Sequence, residues 1–160
     1  MGSMPFVNQG QGFPKDLNYG ERLIYKYDEN HNPVMISIKN GNSICYIWSY
    51  NNAYPVAEIK NADYATIESI LGGSGAVSSF AASNPTNAEV NSLINTLRNS
   101  LLLKDAQITN YTYKPLVGMT SQTDAKGQTT YYEYDEFQRL KNMKDQNGNI
   151  LRENTYHYKN

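Results

Sequence analysis

The feature that most restricts what this chain can fold into is a recurrence of Tyr-x-Tyr at a constant step. Tyr111 and Tyr132, Tyr113 and Tyr134, Asp124 and Asp145, and Gly127 and Gly148 each stand 21 positions apart. Nearer the start, Tyr25 and Tyr46, and Tyr27 and Trp48, keep the same step of 21. The unit is clearest in Thr129-Thr-Tyr-Tyr-Glu-Tyr-Asp-Glu-Phe-Gln-Arg-Leu140. Alternation along a strand puts Tyr132 and Tyr134 on one face, with Tyr131 and Glu133 on the other. Asp135 then starts a turn, because a short carboxylate accepts hydrogen bonds from amides two residues on. Arg139 and Leu140 open the next strand. Leu23–Val34 repeats the arrangement with Tyr25, Tyr27 and Asp28. A recurrence of this size marks hairpins that bury their faces against neighbouring units. The last unit breaks step: Gly148 to Tyr156 is one residue longer than Gly127 to Tyr134, which predicts an inserted residue or bulge.

Composition agrees with a sheet whose faces lie near water. The chain has 14 Tyr against one Trp and four Phe. Tyrosine favours strands and buries a ring while its hydroxyl stays wet. A mean hydropathy of −0.64 is lean for a large core. Net charge is −1, and with no basic patch nucleic acid is excluded as a partner. No apolar run reaches the roughly 20 residues needed to cross a bilayer. Cys45 stands alone, so no internal disulfide forms and cysteine usage leaves the compartment open.

In chain order, Met1–Met4 reads as an expression tag and residues 5–20 as a flexible leader, giving 1–20 as tag and leader. Residues 21–60 form a first antiparallel block: strands over 22–28, 33–39, 43–50 and 54–60, with Asn40-Gly41 as a hairpin signal. Pro55 cannot donate to a ladder and belongs at an edge or bulge. Residues 61–105 read as a helical insertion. Asp63 caps a helix carrying Tyr64, Ile67, Ile70 and Leu71. Gly72–Gly75 ends it, and 72–84 reads as a loop of small residues. A second helix starts at Asn84-Pro85-Thr86, with Val90, Leu93, Ile94, Leu97 and Leu101 on one face. Residues 106–160 form the second β block, its last strand running from Asn149 to Tyr158. The fold class is mainly β, an antiparallel hairpin meander with a two-helix insertion.

At this point the residues resemble a known family. Tyr27-Asp28 and Tyr134-Asp135, with Gly127 before the second and Arg139-Leu140 after it, are similar to YD repeats of the Rhs type. Residues 111–158 carry the resemblance closely and 21–60 loosely, while 61–105 lie outside it. Tyr111–Thr120 is similar to segments of Bacteroidetes members. Two positions depart from the family pattern: Gln138 stands where a glycine is usual, so that turn should avoid a glycine-only conformation, and Asn32-Pro33 replaces Gly-Arg. The resemblance implies a bacterial, secreted or cell-surface scaffold. In that family repeat arrays coil into a β-shell that encloses or presents a C-terminal effector, often a toxin. About four hairpin units are too few to close a shell, so the chain reads as the C-terminal part of a repeat core. Its expected partners are neighbouring repeats of the parent chain and, through unpaired edge strands, a second copy.

Chemistry finds little footing. His31 and His157 have no neighbours at metal-ligand spacing, so no metal or cofactor is expected. No strand–turn–helix elbow supports a hydrolase nucleophile. Asp28 and Asp135 read as turn caps. The expected function is a non-catalytic structural module whose motif residues are Tyr25, Tyr27, Asp28, Gly127, Tyr132, Tyr134, Asp135, Arg139, Leu140 and Gly148. The alternative is a carbohydrate- or protein-binding surface in which exposed rows of Tyr25, Tyr27, Tyr132 and Tyr134 stack on sugar rings. Cross-strand packing is the competing account of those rings.

Overall fold

The computed structural model describes residues 23–38 and 41–157. The expected leader, Asn40 of the hairpin signal and Tyr158 lie outside the described residues. Strands β1 (Leu23–Tyr27), β2 (Pro33–Ile38), β3 (Ser43–Ser49), β4 (Tyr54–Lys60), β5 (Gln107–Lys114), β6 (Gly118–Thr123), β7 (Thr129–Tyr134), β8 (Leu140–Lys144) and β9 (Ile150–Glu153) form a single sheet. Each strand runs antiparallel to the one before it, as a chain of hairpins must. The two strand blocks meet directly, because Ile59 of β4 lies opposite Ile108 of β5. The insertion leaves the sheet at Lys60 and returns at Gln107, which are paired neighbours. The last strand is shorter than expected. It stops at Glu153, so His157 lies beyond it.

Helix α1 (Tyr64–Ile70) begins as its sequence dictates, with the Asp63 carboxylate accepting from the Thr66 amide. Helix α3 (Asn87–Arg98) begins with a capping box in which Thr86 and Glu89 satisfy each other's backbone amides. Between them the expected loop over 72–84 is a third helix, α2 (Ser74–Ala81). Its Gly and Ser content gives weak propensity, but tertiary contacts override it. Val77 and Ala81 are buried and Phe80 packs against the core. The β3–β4 turn supplies donors to the helix's C-terminal carbonyls: Asn52 N–H reaches Ala81 and Ser49 Oγ reaches Phe80. The insertion is therefore three helices and a 3-10 turn, Leu101–Leu103.

The apolar stripe of α3 is seated on the sheet through Val90, Ile94 and Leu97, with Leu93 half-buried. Leu101 falls off the stripe at 86% exposure, because the helix ends at Arg98 and Leu103 turns inward instead. Cys45, Ile47, Ala57, Ile59 and Ile108 meet these residues from the sheet. Burial of each large apolar chain is worth about 1.5–3 kcal/mol. The core stops at β5. Across β6–β9 the buried side chains are polar, Ser121 and Asn142. Arg98 closes the boundary, donating to the carbonyls of Ile108 and Asp124 and to Asn110 Oδ1.

Candidate functional surface

Two devices recur along the sheet, and both are built by the motif residues. The first is the aspartate turn. At Asp28, Asp124, Asp135 and Asp145 one carboxylate oxygen accepts from the amides two and four residues on, at 2.8 or 2.9 Å. In every case the aspartate amide also donates to the carbonyl four residues on. The third residue after each aspartate sits in the left-handed region: His31 at 64°, Gly127 at 82°, Gln138 at 62° and Gly148 at 85°. Gln138 thus adopts a left-handed conformation that is not reserved for glycine, in keeping with the expectation for that turn. A φ near 62° lies inside the small left-handed well open to side chains, at a cost of about 1–2 kcal/mol. Arg139 reinforces its turn, with Nη2 at 2.7 Å and Nε at 2.8 Å from Asp135 Oδ2. That guanidinium holds the Asp135 carboxyl below the ordinary carboxylate range, aided by backbone amides. Asn149 does the same for Asp145.

The second device is an aromatic ladder. Trp48 Nε1 donates to the Pro33 carbonyl at 2.9 Å, Tyr113 Oη to Pro55 at 3.0 Å, Tyr134 Oη to Met119 at 2.9 Å and Tyr156 Oη to Leu140 at 2.9 Å. Each aromatic closes or follows an odd-numbered strand and reaches back to the first or second residue of the even strand before it. Burial pushes the Tyr113 hydroxyl up to about 12 and raises that of Tyr134. On their other side, a register shift just before Tyr27, Trp48, Tyr113 and Tyr134 leaves one residue of the next strand unopposed. Those residues are Val34, Val56, Thr120 and Lys141. Pro55 thus lies at a bulge, where its missing N–H costs the ladder nothing. The shift between β8 and β9 leaves Leu151 unopposed, the extra residue that the broken step of the last unit demands.

Placed on this frame, the motif residues separate into two sets. Asp28, Asp135, Arg139, Gly127 and Gly148 build turns, and Leu140 gives the carbonyl that Tyr156 holds. Tyr132 and Tyr134 are half-buried and bonded, Tyr132 to Gln122 Oε1 at 3.4 Å. Only Tyr25 and Tyr27 stand in the open, stacked with ring centroids 6.2 Å apart, at 48% and 55% exposure. The ladder's Trp48, Tyr113 and Tyr156 stand outside the set of motif residues, although the spacing from Tyr27 to Trp48, from Tyr113 to Tyr134 and from Gly148 to Tyr156 involves all three. Gly118 is the first residue of β6. It lies beneath Tyr134, whose hydroxyl a Cβ there would overlap.

The groups with reactive potential are occupied or isolated. Cys45 is buried, its thiol facing the Ala62 carbonyl and pushed up to about 12 by burial. His31 occupies a turn. Among the described residues no group of three or more His, Cys, Asp or Glu is placed to hold a metal ion. A cavity of about 480 Å³ opens between the helices, lined by Ile70, Leu71, Phe80, Pro85 and Leu93. Its one carboxylate, Glu89, is committed to the Thr86 cap. No helix among the described residues is long and apolar enough to cross a membrane. Compared with known proteins, the chain matches no family model and no curated relative.

Proposed function

We propose that this chain is a non-catalytic structural module: a wall of Rhs/YD-type hairpins that scaffolds or encloses a C-terminal effector in a secreted or surface protein. The observation that carries the reading is the reuse of one aspartate turn at Asp28, Asp124, Asp135 and Asp145 with the same hydrogen bonds. Repetition of a turn specifies how strands advance. A reaction centre needs a unique constellation instead, and the polar groups of these units are spent on backbone partners. A sheet that advances by identical units suits a partition between compartments. The test uses the longest natural polypeptide containing this chain. Protease digestion should leave the segment after the hairpins intact while the sheet is folded, and cleave it once Ile94→Asp unfolds the sheet. Equal cleavage in both proteins would reject the scaffold. The carbohydrate-binding alternative narrows to the exposed Tyr25–Tyr27 pair. Glycan-array binding that disappears in Tyr25→Ala would favour it.

A further inference from the structure

The aromatic ladder has a member without a rung. Tyr27 occupies on β1 the place that Trp48, Tyr113 and Tyr134 occupy on β3, β5 and β7, and the same register shift precedes it. Each of those three donates to a carbonyl in the strand before it. Among the described residues no strand precedes β1 in the sheet, and Tyr27 makes no hydrogen bond to another of them. The repeated geometry therefore states what the edge lacks: a strand antiparallel to β1, offering a carbonyl one residue past the position opposite Tyr27. That offset is read from the ladder itself. Gly118 lies across from Tyr134 when the β6–β7 register is extended, and Met119 is the acceptor. Tyr54 lies likewise across from Tyr113, and Pro55 is the acceptor.

The two outer strands differ in how they are protected. Edge strands are commonly blunted by bulges and outward charges. β9 has both, the unopposed Leu151 and the pair Arg152 and Glu153. β1 has neither on its open side. Its bulge residue, Val34, lies on β2, and its one charge, Lys26, is turned to Glu68 and to the face of Tyr64. Leu23, Ile24, Tyr25 and Tyr27 are 43–55% exposed. In a meander of nine strands β9 runs in the same direction as β1, so a copy that keeps the same sheet face and approaches with β9 would present a parallel strand. A copy approaching with its own β1 across a two-fold axis presents an antiparallel one.

We propose that two copies of this chain join through β1, antiparallel about an axis at Tyr25, each Tyr27 hydroxyl donating to the Ile24 carbonyl of the other copy. Centring on Tyr25 puts Leu23 across from Tyr27 and so makes Ile24 the acceptor by the ladder's offset. It also sets Lys26 against Ile24, which keeps the two ammonium groups from facing each other. The two sheets become one. This extends the scaffold reading, because a second copy doubles the width of the wall.

Sedimentation equilibrium of the 160-residue chain, from dilute to concentrated solution, is the test. The expected result is a reversible dimer. Tyr25→Glu sets two carboxylates on the axis and should leave a monomer with an unchanged circular dichroism spectrum. Leu151→Glu, on the opposite edge, should leave the dimer intact. Tyr27→Phe removes one hydrogen bond per copy and should weaken association roughly tenfold or more. Tyr25→Cys should give a disulfide-linked dimer on mild oxidation, a readout that survives even if Tyr25→Glu misfolds. A monomer at every concentration, a dimer that persists in Tyr25→Glu, or one lost in Leu151→Glu would overturn the proposal. None of these outcomes bears on whether a following segment is sheltered from protease, so the two readings fail separately.

Discussion

The sheet from β2 to β5 and the sheet from β6 to β9 are built from the same repeat but held together by different forces. The difference is plainest at the bulge residues. In the first region they are Val34 and Val56, at 2% and 0% exposure, pressed into the core beneath the helices. At the same place in the second they are Thr120 and Lys141, half-buried and exposed. One turn and one ladder thus serve a sheet with a hydrophobic core and a sheet without one. The bare region relies on local bonds: aspartate turns, carbonyl-bound tyrosines, and the pairing of Lys144 with Glu133 at 2.6 Å. It also holds a polar misfit, since Asn142 Oδ1 is buried without a donor among the described residues. The lesson is that the repeat supplies geometry, while the insertion supplies most of the burial.

The sharpest way to break this contrast is Ile94→Ala. Its side chain is 1% exposed, and the loss should cost about 2–5 kcal/mol by urea denaturation. A shift under 1 kcal/mol would mean that the helices do not anchor the sheet. Next comes Gly118→Ala, which places a methyl group 2.8 Å from Tyr134 Cζ. Overpacking of this kind costs about 1–3 kcal/mol. Amide exchange should quicken in β6–β8 and stay slow in β3–β4, whereas uniform quickening would show that the two regions open as one unit.

Smaller again is Tyr134→Phe. It removes the Met119 bond and should cost about 1 kcal/mol, read as a lower midpoint in thermal melting. Gln138→Gly acts in the other direction, gaining up to about 1 kcal/mol by relieving a left-handed side chain. The smallest effect is on pH. Asp135 and Asp145 have depressed carboxyl pKa values in the folded chain. Their contribution is present above the ordinary aspartate range and is lost as pH falls through the folded values. Acid titration of the melting temperature should therefore flatten in the double variant Asp135→Asn, Asp145→Asn.

Much of this architecture was legible because it is local. Alternation placed the strands, Asp63 and Thr86 announced two helices, and the constant step located the turns. Helix α2 was hidden because Ser74, Gly75 and Ala76 resemble a loop, although Val77, Phe80 and Ala81 carry helical spacing. The ladder's acceptors were hidden for a deeper reason. They are backbone carbonyls, which every residue has, so no letter marks Pro33 or Met119 as a partner. Gln138 keeps to the left-handed well that side chains can enter, and the hydrogen bonds around Asp135 hold it there.

The constant step has a metric consequence. Each 21-residue unit lays down two strands, and strands lie about 4.8 Å apart, so one unit moves the chain sideways by about 9.6 Å. Because odd strands all point the same way, every unit hands the next one the same starting orientation. Length in residues is thereby converted into lateral reach at a uniform rate, as the teeth of a rack convert rotation into travel. The width such a partition spans is set by counting units, with no change to any single one.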